Sequence, residues 1–243
     1  MKINKTKFII KKPVELEYGT INFLDIEQYI DYQAELGIIP MNNLHLYYAY
    51  KKLMKTSSKE ELEKLKILKD TELYKIVISD DYMISCYFKI FTLVTDFKEG
   101  YSIESVFESE ERFMTLRKLI MEMNLLKEEK VFKNEELQEG HEMRKQMESI
   151  QNGESQSIED IITSVVASTS QSFDSVCNMS IYQLYALYAR VSAIMNYQTS
   201  TLFATVSPSK TLESWAKHID LLAQDEGKDM KRSDFMNKVS TAF

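Results

Sequence analysis

Glycine and proline are scarce in this chain: six Gly and three Pro in 243 residues. An all-β fold turns often, and turns draw on both residue types. Their scarcity excludes such a fold and leaves a mainly helical one, rich in Leu, Glu, Lys and Met. The glycines are also isolated from one another, so neither a phosphate-cradling loop nor a dinucleotide fingerprint is present. No Gly-x-Ser-x-Gly elbow exists either. Cysteine is rarer still. Cys86 and Cys177 lie far apart in apolar settings and read as reduced, buried thiols, although spacing alone does not test a disulfide. Three histidines, His45, His141 and His218, fall in three separate segments. Without paired cysteines they lack the spacing of a zinc site. His45 and His218 are expected as interface or surface residues, and His141 as a solvated one. No window approaches the roughly 18 apolar residues of a membrane span. The basic stretch Met1 to Lys12 lacks the apolar core of a signal peptide. A soluble, intracellular protein is therefore expected.

Positive charge is short as well, with 30 Lys and Arg against 37 Asp and Glu and a formal net charge of −7. Phosphate neutralisation needs clustered cations, so nucleic acid is not an expected partner. Here Lys and Arg alternate with Glu along helical stretches, the pattern of solvated faces. Paired catalytic acids need an apolar setting that separates their pKa values. Glu108, Glu110 and Glu111, and later Glu128, Glu129, Glu135 and Glu136, lie instead in polar, lysine-rich sequence. The Ser and Thr cluster from Thr163 to Ser175 has no base beside it to activate a nucleophile. Neither an enzyme nor a cofactor is expected.

What the chain does have is 44% hydrophobic residues, enough for a packed core. The predicted fold class is mainly α: helical bundle domains with a small N-terminal β-hairpin. Lys7 to Ile10 is β-prone. Val14 to Tyr18 and Ile21 to Leu24 alternate at period two around a Gly19-Thr20 turn. Asp25 with Gln28 predicts a capped helix start, and Gly37 its left-handed end. Helices are expected over Asn42 to Lys55, from Ser58 with Glu61 as a capping box, from Tyr82 to Phe97, and from Ser109 onward. Lys75 to Ser79 reads as a short strand or a helix end. Composition turns polar at Lys127. The expected organisation is therefore an α+β domain over 1–126, a partly helical charged linker over 127–156, a helical domain over 157–223 and a polar tail with a short helix over 224–243.

The last third is the most informative part. Ser157 caps an apolar stripe of Ile158, Ile161, Ile162, Val165 and Val166. Ser180 with Gln183 opens a helix to about Tyr197 with almost no polar face. Thr199 to Val206 either prolongs it or leaves it. Ser207-Pro208 then predicts another helix start, with Leu212, Trp215, Ala216, Ile219 and Leu222 on its apolar side. A surface helix carries a solvated back; one without it must be surrounded. Tyr182 and Leu187 point away from the stripe of Ile181, Leu184, Tyr185 and Tyr188, so part of this helix needs a partner for cover. Tyr182, Leu187, Met195, Phe203 and Trp215 are the candidate partner-binding residues, since aromatics and Met are favoured at interfaces.

Within the same third, Ile158-Glu159-Asp160-Ile161-Ile162, Ser172-Phe173-Asp174-Ser175-Val176 and Asn178-Met179-Ser180-Ile181-Tyr182-Gln183-Leu184 occur in that order. Arg190-Val191, Asn196-Tyr197 and Glu213-Ser214-Trp215 follow. This block resembles one in tail assembly chaperones and tail-morphogenesis proteins of tailed phages of Gram-positive bacteria. The upstream order is similar too: a β-hairpin, a helical body, and an Asn124-Leu125-Leu126-Lys127 turn into a charged linker. The resemblance implies a non-enzymatic chaperone in the host cytoplasm that shields tape-measure or tail-tube protein before the tube polymerises. It brings no catalytic residues. Alternatives are a structural virion component (a baseplate, connector or tail subunit) and a phage enzyme or host-takeover factor. Self-association into a homo-oligomer is a further way to cover the apolar helix.

Overall fold

The computed structural model describes residues 4–53, 59–152, 156–206 and 213–223. The elements run α1 (Thr6–Ile9), β1 (Val14–Glu15), β2 (Gly19–Ile21), α2 (Ile26–Asp31), α3 (Gln33–Ile38), α4 (Asn43–Leu53), α5 (Lys59–Asp70), α6 (Leu73–Ser79) and α7 (Asp81–Val94). They continue with β3 (Thr95–Phe97), α8 (Ile103–Phe107), α9 (Glu110–Met123), α10 (Glu135–Asn152), α11 (Ile158–Thr169), α12 (Phe173–Cys177) and α13 (Ile181–Val206). The fold is mainly helical with a small antiparallel sheet near its start, as the scarcity of turn residues requires.

The hairpin pairs Val14 with Ile21 and Glu15 with Thr20. A third strand that the apolar run to Phe97 concealed, β3, pairs with β2 from Gly19↔Phe97 to Ile21↔Thr95. Gly19 is required there: a Cβ on it would sit 2.7 Å from the Asp96 carbonyl oxygen. Lys7 to Ile10, β-prone in sequence, belongs instead to α1 and its C-terminal cap, with Phe8 fully buried beneath it. Tertiary cover of one phenyl ring outweighs a weak local preference. Gly37 lies inside α3 and ends nothing. The ambiguous stretch at Lys75 is helical, within α6. The Ser58 and Glu61 box and the Ser207-Pro208 start involve residues outside the described ones, as does the 224–243 tail.

Helix starts follow local chemistry. The Asp25 carboxylate accepts from the Gln28 amide at 2.8 Å, and the Asp25 amide donates to Gln28 Oε1 at 3.2 Å. Asp80 accepts from the Met83 amide, and Ser109 from Arg112. Each satisfies a backbone donor that a helix start leaves orphaned.

Two cores result. The larger gathers Tyr87, Phe91, Phe113, Leu116, Leu119 and Ile120 from α7 and α9, with Phe8, Ile21, Leu36 and Ile39 above them. The smaller joins Ile161, Val165, Val176, Ile181 and Leu184 from α11, α12 and α13. They interlock: Ile26 of α2 lies in the smaller core, and Tyr182 of α13 lies in the larger. Arg117 is buried in the larger. Its Nε donates to the Ile39 carbonyl at 2.9 Å and reaches Tyr87 Oη at 3.3 Å, while Nη2 reaches the Met41 carbonyl at 3.3 Å and Glu128 Oε2 at 3.0 Å.

The charged stretch after Lys127 carries α10, which lies along α4. Tyr48 Oη donates to the Phe132 carbonyl at 2.8 Å, and Lys51 pairs with Glu135 at 2.7 Å. His141, expected in solvent, is 4% exposed. Its ring meets Phe132 edge-on, and a Lys-rich and Glu-rich composition hid this inward face. His45 faces the same groove, with Nδ1 accepting from the Asn42 amide at 3.2 Å. Burial pushes the His45 pKa below its ordinary value. Cys86 is buried and Cys177 half-buried, both as free thiols.

Candidate protein-contact surface along the last helix

α13 starts from a reciprocal cap. The Ser180 amide donates to Gln183 Oε1 at 3.0 Å, and the Gln183 amide to Ser180 Oγ at 3.3 Å. Its 26 residues make a rod of about 39 Å. One face of the first turns, Ile181 and Leu184 with the half-buried Tyr185 and Tyr188, packs on α11, α12 and Ile26. α11 is 12 residues long, about 18 Å. The two helices part company near Tyr188, whose hydroxyl bonds Gln156 just before α11 begins.

The other face of these turns is covered from within the chain. Tyr182 was expected to await an external partner, yet it is 5% exposed. The Phe8 ring packs edge-to-face on it, centroids 5.2 Å apart. Gln183 Nε2 donates to the Ile9 carbonyl at 2.8 Å, and Lys11 Nζ to the Asn178 carbonyl at 2.7 Å. The β-prone stretch Lys7 to Ile10 supplies this cover as part of α1 and its cap. Tyr182 is thereby corrected from a partner contact to a core residue.

The segment from Glu213 to Ala223 returns across α13. A helix was expected here, but the described residues form only turns. The backbone carbonyls of Trp215 and Lys217 accept from the Arg190 guanidinium, the latter at 3.1 Å. Asp220 accepts from Lys5 Nζ at 2.8 Å. The hydrogen bond from Lys5 and its charge hold the Asp220 carboxyl below its usual pKa. These anchors turn the Trp215 and Lys217 carbonyls toward α13, where a helix would have turned them along its own axis, and tie the Asp220 carboxylate to Lys5 at the start of α1. The crossing leaves an open groove on either side. One, of about 590 Å³, is lined by Ile9, Tyr182, Ala186, Leu187, Arg190 and Ile219 among others. The second, of about 500 Å³, includes Tyr185, Tyr188, Tyr197 and Trp215 in its walls.

Beyond Arg190 the helix overhangs. Leu202 is 71% and Val206 80% exposed, and Met195 and Phe203 are exposed beside them. At 100° per residue, positions 184, 188, 195, 202 and 206 fall within about 40° of one another. The stripe buried at Leu184 thus continues into the exposed half, interrupted by Gln198 and Thr199 between Met195 and Leu202. No residue from Val191 to Val206 is charged, and Arg190 is the sole charged side chain of α13. Of the predicted contact residues, Met195 and Phe203 lie on the overhang, Trp215 is exposed on one groove's rim and Leu187 is half-buried in the other. Leu202 and Val206 were missed. Continuing the wheel from Leu184 past Tyr197 would have found both.

Comparison with known proteins places this chain in a family. Residues 2–133 match the YomV N-terminal domain, and residues 145–220 match the YomV second domain. The chain is 35% identical over 224 residues to the SPbeta prophage-derived uncharacterized protein YomV of Bacillus subtilis strain 168, covering 91% of each chain. The chain belongs to the YomV family. Membership in the YomV family, together with a prophage-derived relative, indicates a phage-derived protein. No solved structure matches it. The second YomV domain spans α11, α12, α13 and most of the returning segment, so the overhang lies in that domain, whereas the groove walled by Ile9 also takes Lys5 and Thr6 from the part matched by the N-terminal domain. Among the described residues, no group of three His, Cys, Asp or Glu side chains is placed to hold a metal ion. No helix among them is long and apolar enough to cross a membrane.

Proposed function

We propose that this YomV-family chain is a non-enzymatic tail assembly chaperone that shields the tape-measure or tail-tube protein of its phage during tail morphogenesis. The observation carrying this reading is the uncharged second half of α13, whose Met195, Leu202, Phe203 and Val206 stay exposed in an otherwise acidic, charge-rich molecule. An isolated exposed apolar side chain needs no explanation, but a contiguous row marks a contact site. A tape-measure protein is long and helical, with apolar seams open to aggregation until the tube encloses them. A helix face with no charge accepts such a seam without leaving an ionic group unsolvated. Tyr185, Tyr188, Tyr197 and Trp215 in the adjoining groove add aromatic surface of the kind that anchors protein interfaces.

Co-expression tests the reading. With this chain present, the tape-measure protein of the same phage is expected to move from the pellet to the soluble fraction and to co-purify with it. Phe203→Asp combined with Trp215→Asp should cut the recovered complex at least tenfold while the variant itself stays folded. Tape-measure solubility that is the same with and without the chain would contradict the proposal. So would the chain's presence at fixed copy number in purified particles, which identifies a structural subunit.

A further inference from the structure

The overhang of α13 also dictates what happens to this chain when no other protein is at hand. We infer that a second copy of the chain covers it, two overhangs lying antiparallel about a two-fold axis. Three observations converge on that occupant. The stripe is continuous with an interface already made: α11 covers it as far as Tyr188, and the same row runs on uncovered through Met195, Leu202 and Val206. A second helix laid there extends the packing that α11 begins.

Charge opposes a second copy least along this face. The chain carries a net charge of −7, so most pairs of its faces repel when two molecules meet. From Val191 to Val206 that repulsion is absent, because no charged side chain occurs there. The stripe is also self-complementary. In the antiparallel register that sets Met195 against Val206 of the second copy, Thr199 falls opposite Leu202 of the second copy, and the reciprocal contacts repeat across the axis. An isologous contact requires this reciprocity. Antiparallel helices also oppose their dipoles favourably.

Area sets the strength. The exposed parts of Met195, Leu202, Phe203 and Val206 amount to roughly 500 Å² per chain, so the pair buries at most about 1,000 Å², in the range of weak, reversible contacts. A weak dimer that exchanges in the micromolar range, roughly 1–100 µM, is expected. Such a contact keeps the overhang out of water yet yields to a partner that buries more.

This inference does not rest on the chaperone reading, because its test contains the purified full-length chain and nothing else. Sedimentation velocity from about 1 to about 100 µM should show an average mass that rises with concentration from near one chain toward two chains. Leu202→Asp with Val206→Asp should remain at one-chain mass throughout, with unchanged circular dichroism and melting temperature. Leu202→Gln with Val206→Gln, which introduces no charge, should weaken the dimer at least tenfold and covers the case in which the aspartates disturb the helix. Ile67→Asp, at an equally exposed apolar position on α5, should dimerise as the native chain does. One-chain mass at every concentration overturns the inference. So does a dimer that survives both overhang variants.

Discussion

Replacing Leu184 by aspartate lowers stability by about 5 kcal/mol, enough to unfold most single domains. Leu184 is fully buried between α11, α12 and Ile26. The change removes the transfer free energy of a leucine side chain, about 2 kcal/mol, and puts a carboxylate where no described side chain supplies a counter-charge. Desolvating that group adds several kcal/mol or forces it to stay protonated. The same substitution at Leu202, on the same stripe in the exposed half of the rod, is expected to move stability by no more than about 0.5 kcal/mol, because that site is already in water. Urea unfolding of the two variants measures the contrast. Equal losses at both positions would mean that the stripe is covered along its whole length.

Arg117→Ala is expected to cost about 3 kcal/mol, since buried acceptors lose a charged donor while the partly exposed Glu128 returns to water. The guanidinium ties the end of α3, the start of the α4 connection, Tyr87 of α7 and the first acidic residues after α9 into one network. Its loss leaves the Ile39 carbonyl and the Tyr87 hydroxyl inside the larger core without this donor. Arg117→Met restores much of the volume and none of the hydrogen bonds, so it should recover part of the loss only. Thermal unfolding monitored by circular dichroism distinguishes the three proteins. A melting temperature for Arg117→Ala within about 2 °C of the native value would show the network to be dispensable.

These two positions mark what sequence reveals and what it hides. Leu184 was legible because a helix signals itself locally: Ser180 and Gln183 cap it, and the 3.6-residue period places Leu184 with Ile181 and Tyr188. Asp25 with Gln28, and Ser157 ahead of Ile158, were legible on the same terms. Arg117 was not, since nothing in a charged residue on an amphipathic helix announces that its partners lie at Ile39, Met41 and Tyr87. The same non-locality explains the other departures. Phe8 turns a β-prone stretch into α1 by docking on Tyr182, more than 170 positions away in sequence. Thr95 to Phe97 leaves the apolar helix because β2 offers an edge to pair with. His141 turns inward because Phe132 and α4 stand beside it. The apolar face drawn through Trp215 and Ile219 looked helical on a wheel, yet the Arg190 guanidinium claims the Trp215 and Lys217 carbonyls.

The candidate contact surface divides in the same way. Met195 and Phe203 are exposed where the lack of a polar back on α13 placed them, and Trp215 is exposed on the returning segment that crosses it. Tyr182 is not, for the non-local reason given. Leu187 is half-covered, facing a groove built by two segments distant in sequence. The exposed half of the stripe owes its visibility to the short reach of α11, a matter of length that a helical wheel alone does not register.

Amide hydrogen exchange across Val191 to Val206 tests most directly whether the uncharged half of α13 is a docking surface. The full-length chain is compared at a concentration well below self-association, with and without the tape-measure protein of its phage. Binding should slow exchange over these residues at least tenfold, while amides in α7 and α9 keep their rates. Unchanged exchange from Val191 to Val206 in a complex that demonstrably forms would place the contact elsewhere and contradict the account.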